Sequence, residues 1–93
     1  MKLDKRWTPT PENMLEAFCN WYNESIHDYD VPEIERWDTY VVWFCYTLGN
    51  AKALISTTRH DHAYFELTWH SDKNQLHVDQ YLKVKHDDVD RLK

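Results

Sequence analysis

Two segments in the second half of the chain alternate between apolar and polar residues and meet at a short polar turn. In Ala63–His70, one face carries Ala63, Phe65, Leu67 and Trp69, and the other carries Tyr64, Glu66, Thr68 and His70. In Gln75–Val84, Leu76, Val78, Leu82 and Val84 match the first set, with His77, Asp79, Tyr81 and Lys83 opposite. A period of two belongs to half-buried strands, and Ser71–Asn74 has turn composition. A hairpin with one apolar face must be covered by a second layer. The rest of the chain has to supply that layer and extend the sheet.

The extension lies just upstream. Thr39–Thr47 is rich in β-branched and aromatic residues and is apolar on both alternating faces, which predicts a central or covered strand. Leu48-Gly49-Asn50 is a turn containing the only glycine, Ala51–Thr58 is a second strand, and Arg59–His62 is a polar turn. The covering layer comes first in the chain. Thr10-Pro11-Glu12 starts a helix, with Thr at the N-cap, Pro at the first helical position and an acid in the first turn. Leu15, Phe18, Tyr22 and Ile26 recur at helical spacing, flanked by Met14 and Cys19, so the helix is predicted from Pro11 to about Ile26. Trp21 lies beside this stripe. Pro32 interrupts any continuation, which makes residues 27–38 a connector. The expected architecture is α+β. One N-terminal helix packs on a four-stranded antiparallel β-meander, in a single domain over residues 1–93 with an extended lead-in (1–9) and a polar tail (85–93).

Charge and cysteine usage narrow the function classes. The net charge is −5, whereas nucleic-acid binders carry a basic excess, so nucleic acid is not the expected partner. No apolar run approaches the ~20 residues of a membrane span, and no hydrophobic stretch follows the basic N-terminus. A cytoplasmic location is therefore expected. Cys19 and Cys45 both fall at apolar positions, where thiols sit in the core and are unreactive. There is no Cys-x-x-Cys pair, glycine-rich loop or Gly-x-Ser-x-Gly turn, so the expectation is no cofactor and no enzyme.

Register supplies the most specific chemical candidate. An evenly closed turn sets His70 opposite Gln75, Thr68 opposite His77, Glu66 opposite Asp79 and Tyr64 opposite Tyr81. Two facing carboxylates repel, so Lys83 or Lys52, water, a shared proton or a cation has to compensate. A metal-dependent enzyme using Glu66, Asp79 and His77 is the catalytic alternative. His60 and His62 form a second pair of weak ligands on a loop. Trp43, Tyr64 and Tyr81 on an exposed sheet face, with Lys52, Lys83 and Lys85 nearby, describe a single-stranded nucleic-acid module instead.

Aromatic residues make up 15% of the chain, including five tryptophans. A small core built from large side chains accounts for most of them, and interface centres are the other place where they concentrate. The connector carries Asp28, Asp30, Glu33, Glu35 and Asp38 against a single base, Arg36. An acidic, tryptophan-bearing segment suits docking onto a basic protein surface. The expected contact residues are Glu33, Glu35, Trp37 and Asp38, with Trp21 and Trp7. An exposed strand edge and spare aromatics allow a homodimer without demanding one.

Between Asp38 and Lys83 the sequence resembles a family of small uncharacterised proteins encoded by phages and prophages of Gram-positive bacteria. The matching residues are Tyr40-Val41-Val42-Trp43-Phe44-Cys45-Tyr46-Thr47-Leu48, Asn50, Lys52-Ala53-Leu54 and Ser56-Thr57-Thr58. The match resumes at Tyr64-Phe65-Glu66-Leu67-Thr68-Trp69, Asp72-Lys73, Asp79, Tyr81 and Lys83. This covers about half the chain. The resemblance implies a viral accessory protein that binds and inhibits a host protein, such as a CRISPR or restriction nuclease, and it transfers no catalytic residue. The chain departs from the family at Arg59-His60-Asp61-His62 and in its acidic connector.

Overall fold

The computed structural model describes residues 3–25, 32–59 and 63–82. It contains helix α1 (Pro11–Ser25), a 3-10 turn (Arg36–Asp38) and strands β1 (Thr39–Thr47), β2 (Asn50–Thr57), β3 (Ala63–His70) and β4 (Gln75–Leu82). The strands form one antiparallel sheet in the order β1-β2-β3-β4, so the fold is the expected two-layer α+β meander. Ile26, Val84, Lys83 and Lys85, the acids Asp28 and Asp30, the His60/His62 pair and the 85–93 tail lie outside the described residues. Among the described residues no helix is long and apolar enough to cross a membrane.

The helix begins where its sequence asks it to. The Asn13 amide donates to Thr10 Oγ1 at 3.1 Å and the Met14 amide to Thr10 O at 2.8 Å, with Pro11 at the position that has no amide to satisfy. Met14, Ala17, Phe18, Cys19 and Tyr22 are buried. They face Ala51, Ala53 and Ile55 of β2, Ala63, Phe65 and Leu67 of β3, and Leu76 of β4. Three alanines on the sheet leave depth for large helix side chains, so the Phe18 and Phe65 rings approach to 4.7 Å and Tyr22 meets Phe65 edge-on at 6.1 Å. Cys19 sits at this interface, and burial raises its thiol pKa above the ordinary value even though Thr39 Oγ1 lies 3.9 Å away.

The β3–β4 register is the one expected from the alternation, with Glu66 paired to Asp79 and Tyr64 to Tyr81. The residues before the helix differ from an extended lead-in. The Arg6 amide donates to Asp4 Oδ1 at 2.8 Å and the Trp7 amide to Asp4 O at 3.0 Å, so the chain turns back. Trp7 then packs on Trp69 with the rings 6.1 Å apart.

Strand β1 is the larger correction. Its two apolar faces predict a central or covered strand, yet it is an edge of the sheet and is mostly exposed. The first strand of a meander has a neighbour on one side only. On its core side, helix cover falls away from buried Thr39 through half-buried Val41 and Phe44 to exposed Tyr46, while Tyr40, Trp43 and Cys45 stand exposed on the open face and Val42 at the bulge. Cys45, expected in the core, therefore presents a free thiol at the surface. A bulge between Val41 and Trp43 shifts the β1–β2 register. The following hairpin turn uses positive φ at both Leu48 (54°) and Gly49 (77°), the pattern that tight antiparallel hairpins favour.

Candidate functional site

The segment Pro32–Asp38 is short, acidic and firmly held. Ile34 is its anchor, with 2% of its surface exposed. Asn23 of α1 grips the same residue from both sides, accepting from the Ile34 amide at 2.8 Å and donating to its carbonyl at 3.0 Å. Upstream, Arg59 donates to Pro32 O at 2.6 Å, and its guanidinium lies 6.0 Å from the centre of the Tyr22 ring. Downstream, Asp38 O accepts from the Thr58 amide at 2.8 Å, and Arg36 O accepts from Thr39 Oγ1 at 2.8 Å. Asp38 Oδ2 accepts from the Glu35 amide at 3.0 Å and closes the 3-10 turn. Arg36 reaches Glu12 of α1 at 3.7 Å, an exposed ion pair of small energetic value.

These contacts bring Glu33, Glu35, Trp37 and Asp38 together and give them different tasks. Glu33 and Glu35 are exposed, and Trp37 stands out with 79% of its surface accessible. Asp38 is half-buried and its carboxylate is spent on the turn itself. Trp7 and Trp21 are not part of this group. Both are half-buried; Trp21 meets Phe65 edge-on at 5.9 Å, and the two tryptophans line a separate groove of about 320 Å³ together with Asp4, Glu16 and Glu24.

The open face of the sheet carries the other candidates. Tyr40, Tyr64 and Tyr81 lie in one row across it, with 48%, 43% and 52% of their surface exposed, and Trp43 lies in the next row. Trp43, Tyr64 and Tyr81 thus share the face expected of them, and Tyr40 is a fourth aromatic that sequence reasoning left out. The row of Trp43 continues through Leu54 to Glu66 and Asp79. Glu66 is compensated by Lys52, at 3.5 Å. His77 sits opposite Thr68 and turns toward His70, with ring centres 5.0 Å apart. Among the described residues no three of His, Cys, Asp and Glu converge on a point that would hold a metal ion, so Glu66, Asp79 and His77 do not form a ligand set.

Two features of these surfaces were missed from sequence. The burial of Ile34 was hidden in a polar connector, where a lone apolar residue after Pro32 was the only signal. The exposure of β1 was implied by the meander itself, because its first strand must be an edge.

The family model of DUF6275, a family of unknown function, matches residues 11–90. The chain belongs to the DUF6275 family. No curated protein and no solved structure matches it. The DUF6275 match takes in α1, the Pro32–Asp38 segment and all four strands, and it leaves out Trp7 and the turn that carries it.

Proposed function

We propose that this DUF6275 member is a non-enzymatic binding protein that docks on a basic surface of a protein partner through Glu33, Glu35 and Trp37. The observation that carries the reading is Trp37. A tryptophan with 79% of its surface exposed gains little from packing against the described residues, and here it stands on a turn bonded at both ends. Tryptophans are enriched among the residues that dominate binding energy, and a preorganised support spares the ordering cost of docking. The flanking glutamates and the net charge of −5 speed encounter with a basic partner. A host protein that handles nucleic acid, inhibited by occupation of its basic surface, is the partner this charge suits best.

The exposed row of Tyr40, Tyr64 and Tyr81 favours one other reading, a stacking platform for single-stranded nucleic acid. Asp79 and Glu66 lie beside that row and oppose a phosphate backbone, which ranks this reading second.

The test is affinity capture of the tagged chain from nuclease-treated lysate, with mass spectrometry, repeated with Trp37→Ala and Glu33→Lys/Glu35→Lys. A stoichiometric partner that wild type retains, salt weakens and both variants lose supports the proposal. A partner held equally by all three baits overturns the site. Binding to mixed-sequence single strands at low salt, lost on Tyr64→Ala/Tyr81→Ala, moves the assignment to the sheet face.

A further inference from the structure

We infer that the chain pairs with a second copy of itself through the edge of β1, forming a two-fold symmetric, eight-stranded sheet. The argument begins with the side chains of the strand. Thr39–Thr47 holds no charged residue and no proline, two of the devices that protect a sheet edge, and its one bulge lies before Trp43, clear of the Trp43–Thr47 run. Its run of β-branched and aromatic residues is that of an interior strand, whereas among the described residues β1 has a hydrogen-bonding neighbour on one side only, which leaves a row of backbone N–H and C=O groups facing outward. The opposite edge, β4, carries Asp79 and His77 and lacks this character.

The geometry selects a register. The bulge ends at Trp43, so the regular run is Trp43–Thr47. Centring a two-fold axis on Cys45 sets Cys45 opposite its own copy, Phe44 opposite Tyr46 of the second copy, and Trp43 opposite Thr47. Each pair shares a face, because alternate residues point the same way. Just beyond this run, the turn residue Leu48 of one copy approaches the bulge at Val42 of the other. That approach accounts for the choice of residue in the turn. Leu48 is 95% exposed at φ 54°, a backbone conformation that disfavours leucine, and packing among the described residues does not compensate.

Area and charge agree with a second copy as the occupant. The exposed parts of Val42, Trp43, Tyr46 and Leu48 amount to roughly 450 Å² per chain, so full cover by a second copy would bury at most about 900 Å², the size of a weak, reversible interface. Self-pairing of an uncharged strand opposes no like charges. The axis runs perpendicular to the sheet, so both helices lie on one side and both open faces on the other. The interface leaves Trp37 and its turn free, and the inference stands apart from the proposed partner site.

The test uses the full chain. Sedimentation equilibrium of wild type is expected to show a reversible monomer–dimer equilibrium strengthened by salt, because two acidic copies repel; docking through Glu33 and Glu35 responds to salt in the opposite direction. Cys45→Asp places two carboxylates face to face and is expected to weaken the dimer at least tenfold. Leu48→Asn, which suits the turn better than leucine, is expected to weaken it several-fold while the monomer stays folded. Opposed residues in an antiparallel pair have Cα atoms about 4.5–5.5 Å apart, within the reach of a disulfide. Copper–phenanthroline oxidation is therefore expected to give a covalent dimer in wild type and Cys19→Ala, and none in Cys45→Ala. Wild type that stays monomeric at high micromolar concentration overturns the inference. So does a dimer whose affinity is untouched by both Cys45→Asp and Leu48→Asn.

Discussion

Trp69 donates its indole N–H to Asn74 Oδ1 at 3.0 Å, and Asn74 is the residue that closes the β3–β4 turn at φ 46°. The Asn74 amide group also donates to Asp4 O at 3.2 Å, so one side chain joins the turn, the core tryptophan and the residues that precede α1. Asparagine tolerates the left-handed region and supplies both bonds, which no other residue does as well. Asn74→Ala is expected to lose about 2–3 kcal/mol from backbone strain and lost hydrogen bonds. Asn74→Gly is expected to lose only about 1 kcal/mol, since it relieves the backbone part. Urea denaturation of both variants separates the two contributions, and equal losses would contradict it.

The β1–β2 hairpin has a similar demand with a poorer residue. Gly49 sits at φ 77°, and a Cβ there would meet Ser71 Oγ at 3.0 Å. Gly49→Ala is expected to cost about 1–2 kcal/mol. Leu48→Asn is expected to stabilise the dilute monomer by about 0.5–1 kcal/mol, since asparagine accepts positive φ more readily. Thermal unfolding at low protein concentration checks both signs.

Glu66 and Asp79 face each other on the open sheet, and Lys52 compensates from the Glu66 side. Removing the repulsion by Asp79→Asn is expected to raise stability by a few tenths of a kcal/mol, with the gain shrinking as salt is added. Lys52→Met is expected to lower stability by a similar amount. Denaturation at low and high salt measures both, and a clear loss for Asp79→Asn would point to a bound cation or a needed proton donor instead.

Ile34 couples the core to the surface turn that carries Trp37. Its side chain is buried while Glu33 and Glu35 on either side are exposed. Ile34→Ala is expected to cost about 2–4 kcal/mol. The amide of Thr58, bonded to Asp38 O, is expected to exchange faster in the variant, because the turn loses its anchor. Hydrogen exchange followed at that amide tests whether the turn is held from Ile34.

Burial raises the Cys19 thiol pKa above the ordinary 9.0, which links stability to alkaline pH. The folded chain keeps its proton where the unfolded chain has lost it, so the folded state binds more protons above pH 9.0. The contribution of the neutral thiol is therefore complete below that pH and is lost as pH rises from it toward the folded pKa. Cys19→Ala is expected to flatten this alkaline decline relative to wild type. Parallel stability curves for the two proteins above pH 9.0 would remove Cys19 as its cause.

Local pattern alone determined most of the architecture. Thr10 and Pro11 mark the helix start because a cap oxygen and a missing amide suit that position in any context. Ala63–His70 and Gln75–Leu82 pair in the expected register because a slip of one residue would turn Phe65 and Leu67 into water. Tertiary structure decided what local pattern could not. Trp7 and Trp37 are both tryptophans in polar surroundings, yet one packs on Trp69 and the other is exposed, since only the folded chain brings a partner ring to Trp7. Cys45 and Cys19 both lie in apolar runs, yet the edge position of β1 leaves Cys45 at the surface while Cys19 lies on the face of α1 that packs on the sheet. Periodicity reports which face of an element is apolar; which apolar faces find cover depends on the neighbours that the whole fold supplies.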